Sequence, residues 1–162
     1  CIRDSYHIIR RVMVDILKYR DFCSALLAPW ASFFKADKLS QYDRYNTFEW
    51  IMEKSEALGL KSSFYFICGR TNPQFDAEYE IDHPIIRDLL RTIHSRGHEI
   101  GLHPSYNSFL NQDTICSEAE RLQKICAEEN IKQDMWGGRM HFLRWKHPST
   151  LNGWEKFLNF LV

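Results

Sequence analysis

Two histidines, an arginine and an asparagine are the residues of this chain whose types and spacing invite chemistry. His103 closes the stretch "HEIGLH", and Asn107 follows four positions later in "HPSYN". If the backbone turns helically there, residues four apart face one point about one turn away. An imidazole nitrogen is a good zinc or iron ligand, while an amide oxygen is a weaker and harder one. The pair suggests a metal site without completing it. In the competing reading, His103 bonds a loop carbonyl and Asn107 caps the next turn. Arg139 and His141 share a face of "GGRMH" if it is extended, and the two glycines give the backbone freedom to approach a cleft. His141 is open to three roles: an imidazole that replaces what Asn107 does not offer, a hydrogen bond to substrate, or a structural contact. Glu99 shares the strand face of His103 and is placed to orient that ring or to balance charge. His83 reads as part of a helix start, and ordinary surface roles suffice for His7, His94, His98 and His147.

These residues need elements to hold them. In "HEIGLH" the apolar Ile100 and Leu102 alternate with Glu99, Gly101 and His103, so a short strand over 98–102 ends at His103. "SSFYFI", 62–67, is a second strand, aromatic and apolar almost throughout, as expected where helices cover a parallel sheet. Between them "DHPIIRDLLRTIHSRG" predicts a helix capped by Asp82 and ended by Gly97, with Ile85, Ile86, Leu89, Leu90 and Ile93 on one face. "NQDTICSEAERLQKICAEEN" is another amphipathic helix, striped by Ile115, Ala119, Leu122 and Cys126. A short segment and a long loop in "DMWGGRMHFLRWKHPST" lead to a last helix carrying Leu151, Trp154, Leu158 and Leu161. Upstream, Ile8, Ile9, Val12, Met13, Ile16 and Leu17 recur at helical spacing. "YNTFEWIMEKSEALGL" then adds a helix with Asn46 as cap and Glu49 closing a capping box. The rhythm is that of an α/β fold whose strands 62–67 and 98–102 are parallel neighbours, with the site at their C-terminal ends.

Composition narrows the partners. The 162 residues suit one domain, or part of one. Lys plus Arg and Asp plus Glu are both 21, with no block of one sign, which turns the reading away from nucleic acid and anionic membranes. No apolar run reaches the roughly 18 residues of a membrane span. Five cysteines at irregular spacing without a C-x-x-C pair read as reduced thiols, not as a disulfide framework or a zinc knuckle. Unpaired cysteines and no visible signal peptide favour the cytoplasm, with the cell envelope as the alternative. The chain starts without methionine, so a targeting signal can lie elsewhere in a longer product.

The stretches "GLKSSFYFI", "HPIIRDLLRTIHSRGHEIGLHPSYNS", "GGRMHFLR" and "HPSTLNGWEKF" resemble the polysaccharide deacetylase family, the NodB-like carbohydrate esterases. They are most similar to a bacterial branch with a long N-terminal helical insertion. The likeness runs over about residues 43–158, and "RGHEIGLH" is its most specific part. It implies an N-terminal helical segment, 1–42, and part of a distorted (β/α) barrel, TIM-barrel-like, over 43–162. It also implies one divalent metal, usually zinc, and hydrolysis of N-acetyl groups on a polysaccharide or amino sugar. By that likeness His103 stands at the first histidine of the family's His-x-x-x-His metal motif and Asn107 at the place of the second, a departure from the pattern. Arg139 matches the arginine that orients the base aspartate, while His141 and Tyr106 fall on the substrate side. The family's aspartate pair and its acid histidine have no counterpart here. The expectation is therefore half a barrel, completed by further parts of the same polypeptide, and no activity from the 162 residues alone. Two other functions stay open: a non-catalytic carbohydrate-binding or scaffolding protein with a degenerate site, and a hydrolase of small amides or imides.

Overall fold

The computed structural model describes residues 46–159, together with Leu17 upstream. The expected opening helix and the boundary near residue 43 lie outside the described residues. Helix α1 (Phe48–Ala57) leads to strand β1 (Ser63–Phe66), helix α2 (Pro84–Ser95) and strand β2 (Glu99–Leu102). Helix α3 (Gln112–Glu128), strand β3 (Gly137–Gly138) and helix α4 (Ser149–Asn159) complete the order. Short 3-10 turns at Ser108–Leu110 and His141–Leu143 punctuate the two long loops.

The helices start and stop for local reasons. Pro84 fills the first turn of α2, where no N–H partner is needed, and the cap is His83, whose Nδ1 accepts the Ile85 N–H at 3.3 Å. The expected cap, Asp82, instead holds Arg87 in an ion pair. Likewise α1 is capped at Thr47, not Asn46, without a side-chain bond. Asn111 caps α3, accepting from Asp113 N–H at 2.9 Å. Helix α2 ends in a Schellman motif: Gly97 N–H returns to His94 at 2.9 Å and His98 N–H to Ile93 at 3.1 Å, with Gly97 at φ +79°. Helix α3 ends the same way at Asn130, φ 57°, with Ile131 N–H reaching Cys126 at 2.8 Å. Asparagine tolerates this left-handed position better than most side chains.

Strands β1 and β2 are parallel neighbours, paired from Ser63↔Glu99 to Phe66↔Leu102, as the sequence predicts. Strand β3 joins parallel to the other side of β2 through Gly101↔Gly137 and Leu102↔Gly138. Where β3 has not begun, the Gln133 side chain stands in for a strand partner: its amide accepts from Ile100 N–H at 3.1 Å and donates to Ile100 carbonyl at 2.6 Å. Phe64, Phe66, Ile100 and Leu102 enter a single core with Met52 of α1, Leu90 and Ile93 of α2, Ile115 and Leu122 of α3, and Phe157 of α4. Each such buried side chain contributes about 1.5–3 kcal/mol. The inward face of α4 is Thr150, Gly153 and Phe157, with Leu151 and Trp154 half-buried beside it. Leu158 and Leu161 lie outside the described side chains.

The barrel expectation is corrected here. The sheet has three strands in the order β1-β2-β3 and does not close on itself. Closure needs staggered pairing carried round to the first strand, and no β1–β3 pairing is present among the described residues. The space over Gly101 is filled by the Tyr65 ring, and an added Cβ would stand 2.5 Å from Tyr65 Cδ1 and 2.6 Å from the Gly137 carbonyl.

Candidate functional site

The ends of the parallel strands bring the site together. His103 N–H donates to the Phe66 carbonyl at 2.9 Å and Arg139 N–H to the Leu102 carbonyl at 3.0 Å, so both residues leave the sheet at its C-terminal edge. There His103 Nε2 meets His141 Nδ1 at 2.8 Å. His141 Nε2 is buried and without a hydrogen-bond partner. Burial first, and then the neighbouring His141, hold the His103 imidazole below its usual range, with the Arg139 charge acting in the same direction.

The loop after His103 is anchored by two buried carboxylates. Glu118 of α3 accepts Ser105 N–H at 2.8 Å and the Ser105 hydroxyl in a short bond, and its carboxyl occupies the space that a side chain at Gly69 would need. Desolvation raises the Glu118 pKa against those two bonds. Asp76 Oδ1 accepts Tyr106 N–H at 2.6 Å, and its Oδ2 accepts Thr71 N–H at 2.6 Å and Asn72 N–H at 2.7 Å. The Thr71 hydroxyl lies 3.0 Å from Ser105 Oγ and accepts Asn107 N–H at 2.8 Å. "HPSYN" is thereby set by two neighbouring segments, α3 and the loop 71–76, and not by its own helical tendency.

An aromatic and arginine stack flanks the histidines. The Arg144 guanidinium lies between two rings, 4.0 Å from Tyr106 and 3.9 Å from Phe109. Phe75 stacks on Tyr106 with ring centres 4.5 Å apart. Phe142 stands edge-on to Phe75, Tyr106 and His141, at 5.7, 5.6 and 4.8 Å. The turn that delivers it is strained: Phe142 and Leu143 have φ 52° and 55°. Left-handed backbone costs a non-glycine residue about 1–2 kcal/mol.

Of the residues singled out from sequence, His103, Tyr106 and His141 converge. Arg139 is held at the same sheet edge by its backbone, and its side chain is exposed. The Asn107 amide is engaged elsewhere, donating to the Thr71 carbonyl at 3.2 Å and accepting from Arg144 at 3.4 Å. Glu99 does not orient His103; its carboxylate takes the Ser63 hydroxyl at 2.6 Å. His98 is not a surface residue but is buried, accepting Ser62 N–H at 3.1 Å, with Nε2 3.4 Å from Glu56. Asp76, Glu118, Phe75, Phe142 and Arg144 were not foreseen. Glu118 left a signal, since it lies on the apolar stripe of α3 between Ile115 and Leu122. The thiols of Cys68, Cys116 and Cys126 are free, as expected.

Among the described residues no group of three or more His, Cys, Asp or Glu gathers around one point. What remains is a partial donor set. Two nitrogens bound tetrahedrally to one zinc are about 3.3 Å apart, close to the 2.8 Å between His103 and His141. Exchange of the proton shared between them for a cation would let the pair hold two positions of its shell.

Compared with known proteins, the chain matches no family model, no curated protein and no solved structure. Among the described residues no helix is long and apolar enough to cross a membrane.

Proposed function

We propose that the full-length protein is a metal-dependent deacetylase of the polysaccharide deacetylase type, acting on an N-acetylated polysaccharide or amino sugar. The observation that carries this reading is the His103–His141 pair, 2.8 Å apart at the C-terminal edge of a parallel sheet. The resemblance of "RGHEIGLH" to that family supports it from the sequence side. His103 and His141 hold the divalent metal, zinc foremost, with further donors from outside the described residues. When bound, the metal polarises water and the acetamide carbonyl. His103 is kept neutral by burial and by its neighbour, which is the form that can ligate. The Asp76 and Glu118 anchors fix the loop, so that His103 is positioned before substrate arrives. Tyr106 and Phe142 form an aromatic wall beside the imidazoles and exclude water from one side of the reacting group.

A second reading, a non-catalytic carbohydrate-binding protein, is favoured by the aromatic stack, which stands without any metal. Acetate release from an N-acetylglucosamine oligomer by the full-length protein separates the two. The deacetylase reading expects release that chelator and His103→Ala each abolish. Oligomer binding without release under any metal supplementation would overturn it in favour of the second.

A further inference from the structure

We infer that the loop from Phe142 to Lys146 is a membrane-contact tip that seats the protein reversibly on an anionic lipid surface. This goes beyond the reaction at His103 and does not depend on it.

The geometry of the loop carries the inference. Phe142 and Leu143 are both left-handed, at φ 52° and 55°, yet both stay 68% exposed, so the folded core gains little from the strain. Arg144, which follows, is extended at φ −69° and ψ 136°. Side chains alternate along extended backbone, so Leu143 and Trp145 leave the loop on the side opposite to Arg144. The Arg144 guanidinium turns inward between the Tyr106 and Phe109 rings, and Trp145 is left 55% exposed. Lys146 is pinned by its backbone: its N–H donates to the Thr150 hydroxyl at 3.0 Å and its carbonyl accepts Thr150 N–H at 2.9 Å. An ordered loop thus holds Phe142, Leu143 and Trp145 out into solvent, with a cation on each side of Trp145 in the chain.

Area and charge select the occupant. The three side chains expose roughly 400 Å² of apolar surface, half the ~800 Å² that each partner gives to a stable protein interface. Shallow insertion at headgroup level needs only a few such side chains with Lys and Arg beside them, and tryptophan favours that depth. The chain as a whole is neutral, but between Asp134 and Glu155 it holds Arg139, Arg144 and Lys146 and no carboxylate. Asp76 and Glu118, which anchor the adjoining loop, are buried and turned to backbone N–H groups. The tip therefore presents positive charge round an apolar point, which is complementary to anionic headgroups over acyl chains.

The test sediments the full-length protein with vesicles of pure phosphatidylcholine and of a phosphatidylcholine–phosphatidylglycerol mixture, at low and high salt. Leu143→Asn removes the apolar side chain and keeps a residue that accepts the left-handed backbone, while Trp145→Ala and Lys146→Gln change exposed side chains. The expected result is retention by the mixed vesicles only, weakened by salt. Leu143→Asn and Trp145→Ala should each lose about tenfold in vesicle affinity, and Lys146→Gln about fivefold, with thermal midpoints unchanged or raised. Trp50→Ala, which removes a similarly exposed tryptophan on α1, should bind as wild type does. Absence of wild-type binding to the mixed vesicles would overturn the proposal, as would equal retention by pure phosphatidylcholine. Wild-type affinity in both Leu143→Asn and Trp145→Ala would do the same. Self-association without vesicle binding, lost in those two variants, would overturn it in favour of a contact with a second copy of the chain.

Discussion

His103 Nε2 and His141 Nδ1 lie 2.8 Å apart although 38 positions separate them in the chain. The contact exists because β2 and β3 are parallel neighbours, so the residues just past their ends emerge side by side. Its first consequence concerns metal affinity.

Calorimetric titration of the full-length protein with zinc and cobalt should show one high-affinity site. His103→Ala and His141→Ala should each weaken it by at least tenfold, the usual minimum for losing a ligand or its support. Asn107→Ala should change it little, since that amide is engaged with Thr71 and Arg144. Affinity lost in Asn107→Ala but retained in His141→Ala would reverse the assignment.

The depressed His103 pKa makes stability depend on pH with a definite sign. The unfolded imidazole titrates near 6.5 and the folded one below it. Its contribution is therefore complete above about pH 6.5 and is lost as pH falls through the depressed folded value. Metal-free protein should show urea midpoints that drop on acidification across that window, and His103→Gln should flatten this part of the profile. An identical acid slope in the variant would contradict the assignment.

Glu118 works in the opposite direction. Burial raises its folded pKa, so its contribution is complete below the unfolded carboxylate value of about 4.3 and is lost as pH rises through the folded value. Glu118→Gln should remove that slope while keeping an acceptor for Ser105. Glu118→Ala should cost about 2–4 kcal/mol, because the buried Ser105 N–H and hydroxyl lose their partner and a cavity opens. Chemical denaturation at several pH values checks both. A Glu118→Ala variant as stable as wild type would show that the anchor is dispensable.

Gly101→Ala tests the sheet itself. The added methyl meets Tyr65 and, less forgivingly, the Gly137 backbone carbonyl at 2.6 Å. A destabilisation of about 1–3 kcal/mol is expected from such overpacking. Tyr65→Ala in the same background should recover only part of it, because the carbonyl clash remains. Full recovery would place the strain wholly in the Tyr65 ring.

Much of this protein was determined by short-range pattern. The five apolar residues on one face of α2, the αL residues Gly97 and Asn130 after α2 and α3, and the alternation along β2 act within a few positions, so the α/β order and the parallel pairing of β1 with β2 could be read directly. The position of His103 at a strand end followed from the same alternation. What sequence could not decide was which distant residues meet there. Asn107 stands at helical spacing from His103, but Thr71 and Arg144 claim its amide, and the imidazole beside His103 comes from the far side of α3. The stack of Phe75, Tyr106, Arg144 and Phe109 draws on three loops, and no local period links them. The same holds for the sheet's closure, since pairing between first and last strands is a long-range event whose entropy cost is met only by contacts made in the tertiary fold. The described strands stop at three.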